Sequence, residues 1–422
     1  MDILSKAGDL FPRSPISQLT IGAAATLGVV LNYPEISLGV VGLAMAGRAW
    51  INYRNNDQTD GDYLPVVKQS FATDDIGLCK TIAAYGFEGA QLVSAHDGMV
   101  INRYTVRLPD GSRIKDLPDA DDLAMALGVA SVDILPSNQR MCREFDVPRN
   151  DRQYVDFDSL MQSSEWQAAK ASDMRLPVCP AVTIDGKPYI VDLKDGVHYF
   201  IPGTTGAGKS VFANALILSL IDSGRDFLLM VADGKSRKGD FYPYYSRSEY
   251  LLNDYRDHVA GEPQCKGAAI EPEDMAVQVE WLVWTMEQRF SGSSHDMTPI
   301  IYLVDELKDI VDILSASDDK NALKAFTRNV GRLAQKARSV NITIMFCTQS
   351  PNSEWLPQTL RAVIPSVFAF AVSSGAQSRV CIGENGCEKL LGKGDGYAKI
   401  NGKTTRIHGA NVTPEHIARY LK

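Results

Sequence analysis

Residues 203–210 read Gly-Thr-Thr-Gly-Ala-Gly-Lys-Ser and fill every fixed position of the phosphate-binding pattern G-x-x-x-x-G-K-[ST]. The hydrophobic run His198 to Ile201 precedes them and the helix-favouring run Val211 to Ile221 follows, so the glycines fall at a strand-to-helix turn. At such a turn the backbone N–H groups of Gly203, Thr204, Thr205, Gly206, Ala207 and Gly208, together with the positive end of the helix, face an anion. Lys209 is then a point charge for the β and γ phosphates of ATP, and the Ser210 hydroxyl a ligand for Mg²⁺. These residues predict an α/β protein of the P-loop NTPase class.

Two further stretches belong with the first. Residues 300–306, Ile-Ile-Tyr-Leu-Val-Asp-Glu, read as a buried strand ending in two acids. Nucleotide hydrolysis needs both: Asp305 for the Mg²⁺ shell and Glu306 to orient and activate the attacking water. Residues 341–349, Asn-Ile-Thr-Ile-Met-Phe-Cys-Thr-Gln, suit a central strand whose last residues emerge on the same sheet edge as the P-loop. There Gln349 is placed to touch the γ phosphate or the water; the alternative is a polar residue that merely opens a loop. Between and beyond these elements hydrophobic strands alternate with amphipathic helices, the pattern of a largely parallel sheet covered on both sides.

The 422 residues allow two or three domains, and 45% hydrophobic with 22% charged residues is an ordinary globular balance. Seven cysteines without a C-x-x-C pair argue for reduced thiols, and six scattered histidines form no H-E-x-x-H, so Mg²⁺ is the one metal expected. A net charge of −8 argues against a protein that coats nucleic acid by diffuse attraction. It leaves open a ring with its basic residues confined to a central channel, since local field governs contact with phosphate.

The amino-terminal segment differs. Ile16 to Tyr33 and Ile36 to Ile51 are two apolar runs joined by a turn carrying only Glu35, with Lys6 and Arg13 before them and Arg48 and Arg54 after. That asymmetry predicts a hydrophobic helical hairpin, residues 1–55, anchored in a membrane with both ends cytoplasmic. A hairpin buried against the soluble body or between subunits is the alternative. Residues 56–64 read as a polar linker, 65–175 as a small α+β domain without a catalytic constellation, and 176–422 as the ATPase motor. Within the small domain a helix at Ile76 to Tyr85, strands at Gln91 to Ala95 and Met99 to Leu108, and a helix at Asp121 to Leu127 are expected. Pro180 to Leu193, with Asp185-Gly186-Lys187-Pro188 at its centre, reads as a hairpin leading into the P-loop strand.

The order and wording of these motifs resemble the FtsK/SpoIIIE family of DNA translocases over roughly residues 70 to 420. The resemblance rests on residues 198–220, Leu303 to Glu306, and Arg332-Leu333-Ala334-Gln335-Lys336-Ala337-Arg338. It extends to Ser373-Ser374 with Ser378-Arg379, to residues 388–395, and to residues 98–104 and 129–132 in the upstream module. It implies a RecA-like motor in each subunit of a hexameric ring, ATP at the subunit interfaces, and double-stranded DNA through the pore. It also implies an arginine finger at Arg338, reaching the neighbouring subunit's γ phosphate; without it, Arg338 is a solvated helix charge.

Arg379 matches a pore-loop DNA contact of the family. Ser350 and Gly375 stand where the family usually has basic residues, and Arg361 with the Lys235-Ser236-Arg237-Lys238 cluster are the candidates to compensate, each open to a reading as ordinary exposed charge. The chain leaves no room after residue 413 for the family's winged-helix γ domain. An accessory role in moving plasmid, phage or integrative-element DNA is therefore expected over one at the division septum. A P-loop ATPase of a protein-secretion system is the alternative.

Overall fold

The computed structural model describes residues 77–129, 131–149, 151–235, 238–246, 262–263, 265–319, 321–352, 361 and 364–421. The chain divides into two compact units, Met1–Asp62 and Tyr63–Lys422, and every described residue belongs to the second. The expected hairpin at residues 16–51 therefore lies outside the described residues. Among the described residues no helix is long and apolar enough to cross a membrane.

Residues 91–148 build a four-stranded antiparallel sheet from β1 (Gln91–Asp97), β2 (Ile101–Arg107), β3 (Asp133–Pro136) and β4 (Cys142–Pro148), in the order β1-β2-β4-β3. Helices Leu78–Ala84 and Ala120–Leu127 cover it, and Leu78, Ile82, Tyr104, Val106, Leu123, Phe145 and Val147 close the core between them. Asp119 caps the second helix through the Asp122 N–H, and Gly128 ends it in the left-handed conformation that a residue without Cβ adopts freely.

The second sheet has ten strands: β5 (Pro177–Thr183), β6 (Pro188–Asp192), β7 (Tyr199–Pro202), β8 (Leu228–Ala232), β9 (Ala268–Ala269), β10 (Ile300–Val304), β11 (Ile342–Thr348), β12 (Ser366–Phe370), β13 (Asp395–Ile400) and β14 (Lys403–Gly409). Their order is β6-β5-β14-β13-β12-β7-β11-β10-β8-β9. From β12 to β9 every pairing is parallel, and from β6 to β12 every pairing is antiparallel. The parallel half is the sheet that the motifs predict. The antiparallel half, two hairpins joined edge to edge, extends it.

Alternation along the parallel strands explains their unbroken apolar sequence. In β10, Ile301 and Leu303 pack into one core while Ile300, Tyr302 and Val304 pack into the other, and β8 and β11 divide in the same way. A strand buried on both faces has little place for a polar residue until it leaves the sheet, and Thr343 is the one such residue within the middle of β8, β10 and β11. Helices 157–162, 164–171, Lys209–Asp222 and Pro414–Tyr420 carry residues of the first core; Pro272–Ser291, Leu307–Ala316 and Ala322–Lys336 carry those of the second. Helix Lys209–Asp222 is buried almost all round. Phe212 at its start meets the rings of Phe368 and Phe370 at 4.9 and 5.0 Å between centroids.

The two sheets are joined by a buried ionic cluster. The Arg406 guanidinium on β14 donates through Nε and Nη2 to both oxygens of Asp395 on β13 (3.1 and 2.9 Å) and through Nη1 to Asp133 on β3 (2.5 Å). Asp146 on β4 is held by Arg103 on β2 at 2.7 and 2.8 Å. Burial alone would raise the Asp395 carboxyl, but the charge and hydrogen bonds of Arg406 outweigh it and hold the group below the ordinary aspartate range. His408 beside it is pushed down to about 4 by burial, against the pull of Asp395, and is neutral at pH 7.

Candidate nucleotide-binding site

The strands β7, β10 and β11 run parallel, so the residues after their last positions emerge together at one sheet edge. After β7 comes the P-loop. Its first amides are tied to neighbouring strands: Gly203 N–H donates to the Thr348 carbonyl (3.0 Å) and Thr204 N–H to the Ala371 carbonyl (2.8 Å). Gly206 and Gly208 have φ of +78° and +101°, backbone that side chains with a Cβ rarely adopt, and they turn the chain into helix Lys209–Asp222. At Gly208 an added Cβ would stand 2.5 Å from the Gly394 nitrogen. That closeness follows from residues 393–394 lying across the loop, where Gly394 N–H donates to the Ala207 carbonyl at 2.9 Å.

A cavity of about 560 Å³ opens on this loop, lined by Thr204 to Gly206, Gly208 to Phe212, Lys235, Asp240 and Gln349, with Tyr154, Lys393, Gly394 and Gly409 to Asn411 on the far wall. Its size suits a nucleotide. Lys209 is buried at the start of the helix, and Ser210 follows it on the first turn.

Asp305 and Glu306 leave β10 in different environments. Asp305 is almost fully buried; its Oδ1 has no hydrogen-bond partner and its Oδ2 accepts from Lys235 Nζ at 2.5 Å. Glu306 caps helix Leu307–Ala316, and the end of β11 holds its carboxylate: the Thr348 hydroxyl donates to Oε1 at 2.6 Å and the Gln349 N–H to Oε2 at 2.7 Å. Burial pushes the Glu306 carboxyl above the ordinary glutamate range, opposed by those two hydrogen bonds and by the charge of Lys209. The Gln349 side chain then accepts from the Thr205 hydroxyl at 2.6 Å. Glu306, Thr348, Gln349 and the P-loop thus form one connected set. Thr348, the member that sequence reasoning passed over, was visible only as the residue before Gln349.

The orphaned Asp305 Oδ1 and the Ser210 hydroxyl are the right donors for Mg²⁺, a hard cation that takes one or two protein oxygens and fills its shell with phosphate and water. Among the described residues no group of three or more His, Cys, Asp or Glu side chains is gathered to hold a metal ion.

Arg338 lies elsewhere. It is exposed in the 3₁₀ turn Ala337–Val340, at the opposite end of β11 from Gln349. Seven residues of strand separate the two ends, roughly 23 Å at about 3.3 Å per residue. This guanidinium does not reach the P-loop of its own chain.

The expected DNA contacts are dispersed. Arg379 is exposed on helix Gly375–Ile382, with Nη1 donating to Asn385 Oδ1 at 2.6 Å. Lys238 is exposed, Arg361 is partly buried with Nε unpartnered, and Arg237 lies outside the described residues. Lys235 departs from expectation. It lines the nucleotide cavity and pairs with Asp305, because the turn after β8 folds back over the sheet edge where that acid emerges.

Residues 159–238 match the model of the FtsK/SpoIIIE family. The protein named DNA translocase FtsK from Pseudomonas syringae pv. tomato is 31% identical over 382 residues, covering 78% of this chain and 44% of that protein. The one from Haemophilus influenzae is 28% identical over 351 residues, covering 76% and 64%. The chain thus spans less than half the length of the Pseudomonas relative. Among solved structures, the monomer form of the pCW3 conjugation coupling protein TcpA with ATPγS aligns over 79% of this chain and 94% of that one. Its TM-score is 0.50 at 16% identity, a likeness of fold.

Proposed function

Because this chain belongs to the FtsK/SpoIIIE family, we propose that it is an ATP-driven translocase of double-stranded DNA, working as a hexameric ring with a RecA-like motor in each subunit. Residues 65–175 form the accessory domain, residues 176–422 the motor, and residues 16–51 anchor the motor to the cytoplasmic face of the cell membrane. The DNA served is that of a plasmid, phage or integrative element.

The observation that carries this proposal is the joint hold of Thr348 and Gln349 on Glu306, with Gln349 bonded in turn to Thr205 of the P-loop. The backbone amides of Thr205, Gly206 and Gly208 to Ser210, with the Lys209 ammonium, bind the phosphates, whereas those of Gly203 and Thr204 are already spent on the Thr348 and Ala371 carbonyls. Glu306, kept next to them with a raised proton affinity, orients the attacking water and takes its proton. Ser210 and Asp305 would hold Mg²⁺, which would supply charge neutralisation at the phosphate oxygens. Gln349 touches both the P-loop and the Glu306 strand, so loss of the γ phosphate loosens a contact that runs across the sheet edge. Arg338, far from its own P-loop, serves the neighbouring subunit's γ phosphate, which makes hydrolysis a property of the ring.

The test is ATP hydrolysis by the chain with and without long duplex DNA. Stimulation by duplex is expected, and it weakens as salt rises. Hydrolysis indifferent to DNA at every salt concentration would overturn the translocase reading and favour the alternative, a protein-secretion ATPase.

A further inference from the structure

Lys235 occupies a place that nucleotide chemistry reserves for another cation. Strands β8 and β10 are parallel neighbours with Ala232 beside Val304, so Asp233 and Asp305 leave the sheet side by side, and both are buried. Two residues on, the Lys235 N–H donates to Asp233 Oδ1 at 2.9 Å, which fixes the turn. The Lys235 side chain then crosses to Asp305 Oδ2 at 2.5 Å. The acid is buried, with 2% of its side chain exposed, whereas 39% of the lysine side chain is exposed on a four-carbon stem. The lysine also lines the cavity that contains Lys209 and Ser210.

Asp305 is the acid that Mg²⁺ needs. An ammonium on Oδ2 and a divalent ion on Oδ1 of one buried carboxylate repel each other strongly in a partly desolvated site, so each weakens the hold of the other. Bound phosphates would give the ammonium another partner within reach of its stem. We propose that Lys235 is the resident counter-ion of Asp305: it keeps divalent ions off this acid while the site lacks nucleotide, and it moves onto the phosphates when nucleotide and metal enter together. Lys235 is a positioning residue in this scheme, and the scheme rests on the cavity being the nucleotide site.

The experiment titrates Mn²⁺ into the nucleotide-free full chain, with free Mn²⁺ read by electron paramagnetic resonance, and repeats the titration with ADP. Lys235→Met is expected to bind Mn²⁺ without nucleotide at least about tenfold more tightly than the wild type. Lys235→Gln, which keeps a hydrogen-bond donor but no charge, should show the same gain, and Lys235→Arg none. The gain should vanish when Asp305→Asn is added to Lys235→Met. Nucleotide-free Mn²⁺ affinity within about twofold of wild type in both neutral variants overturns the proposal, as does a gain that survives Asp305→Asn. Failure of the wild type to bind ADP at all would instead overturn the nucleotide-site reading, and the proposal with it.

Discussion

Arg406→Met would put the joint between the two sheets to the test. The guanidinium is 4% exposed at its side chain, and it faces Asp395 with no exposure and Asp133 with 14%. Methionine approximates the aliphatic stem, so little packing is lost, but Asp395 keeps its charge in a site that water does not reach. Removing one member of a buried ion pair costs about 3–5 kcal/mol, mostly the penalty of stranding the other charge. We expect a loss of that size at pH 7, read as a fall in the urea midpoint with an unchanged slope.

The pH dependence separates this cause from simple loss of packing. In the wild type the Asp395 carboxyl is held below its ordinary range. It therefore contributes stability that is present above the unfolded pKa and lost as pH falls through the folded one. In Arg406→Met burial is opposed only by the Leu391 N–H and by His408, so the folded pKa rises, and the carboxyl destabilises at neutral pH and is relieved as pH falls. The gap between the two proteins should shrink steadily from pH 7 towards pH 4. Adding Asp395→Asn to Arg406→Met should recover much of the loss at pH 7. A deficit below about 1 kcal/mol at neutral pH, or one that does not change with pH, would refute the argument.

Three further outcomes follow from the site. Gly208→Ala combines a φ of +101° with a Cβ 2.5 Å from the Gly394 nitrogen; forcing an L side chain into such backbone costs about 1–2 kcal/mol before the clash, so ADP affinity measured by calorimetry should fall at least tenfold, and an unchanged affinity would show that residues 393–394 do not lie across the loop. Glu306 must be ionised to act as a base and its carboxyl is raised, so the acid limb of the kcat profile should lie above the ordinary glutamate range; Thr348→Val, which removes a bond to the charged form, should move that limb to higher pH and Thr348→Ser should not. Arg338→Ala should lower kcat by about 10³-fold or more and, mixed with wild-type subunits, should depress their turnover too, whereas a variant at full rate would exclude action in trans.

The elements most legible in the sequence were those that the protein buries most completely. Strands β10 and β11 have water on neither face, so 300–304 is an unbroken apolar run and 342–348 is apolar but for Thr343 and the terminal Thr348, each leading straight to its functional residues. Strands β4 and β14 passed unnoticed for the opposite reason. Their sequences, Cys-Arg-Glu-Phe-Asp-Val-Pro and Lys-Thr-Thr-Arg-Ile-His-Gly, carry charges that look like surface, but Asp146 is paired with Arg103 on β2 and Arg406 with Asp395 on β13. A charge matched across a sheet has no signature in one strand's own sequence. The same holds at the site: Lys235 stood among basic residues and read as a DNA contact, because its acidic partner lies 70 positions away.

The nucleotide cavity is lined also by residues 393–394 and 409–411, far along the chain from the P-loop glycines. Contacts so distant in sequence close late, since the loop entropy between them is met before any reward arrives. A nascent chain on the ribosome therefore presents its first glycines, Lys209 and Ser210 long before the cavity that would enclose ATP exists. Complete enclosure of whatever the P-loop binds therefore waits on the docking of strands β13 and β14.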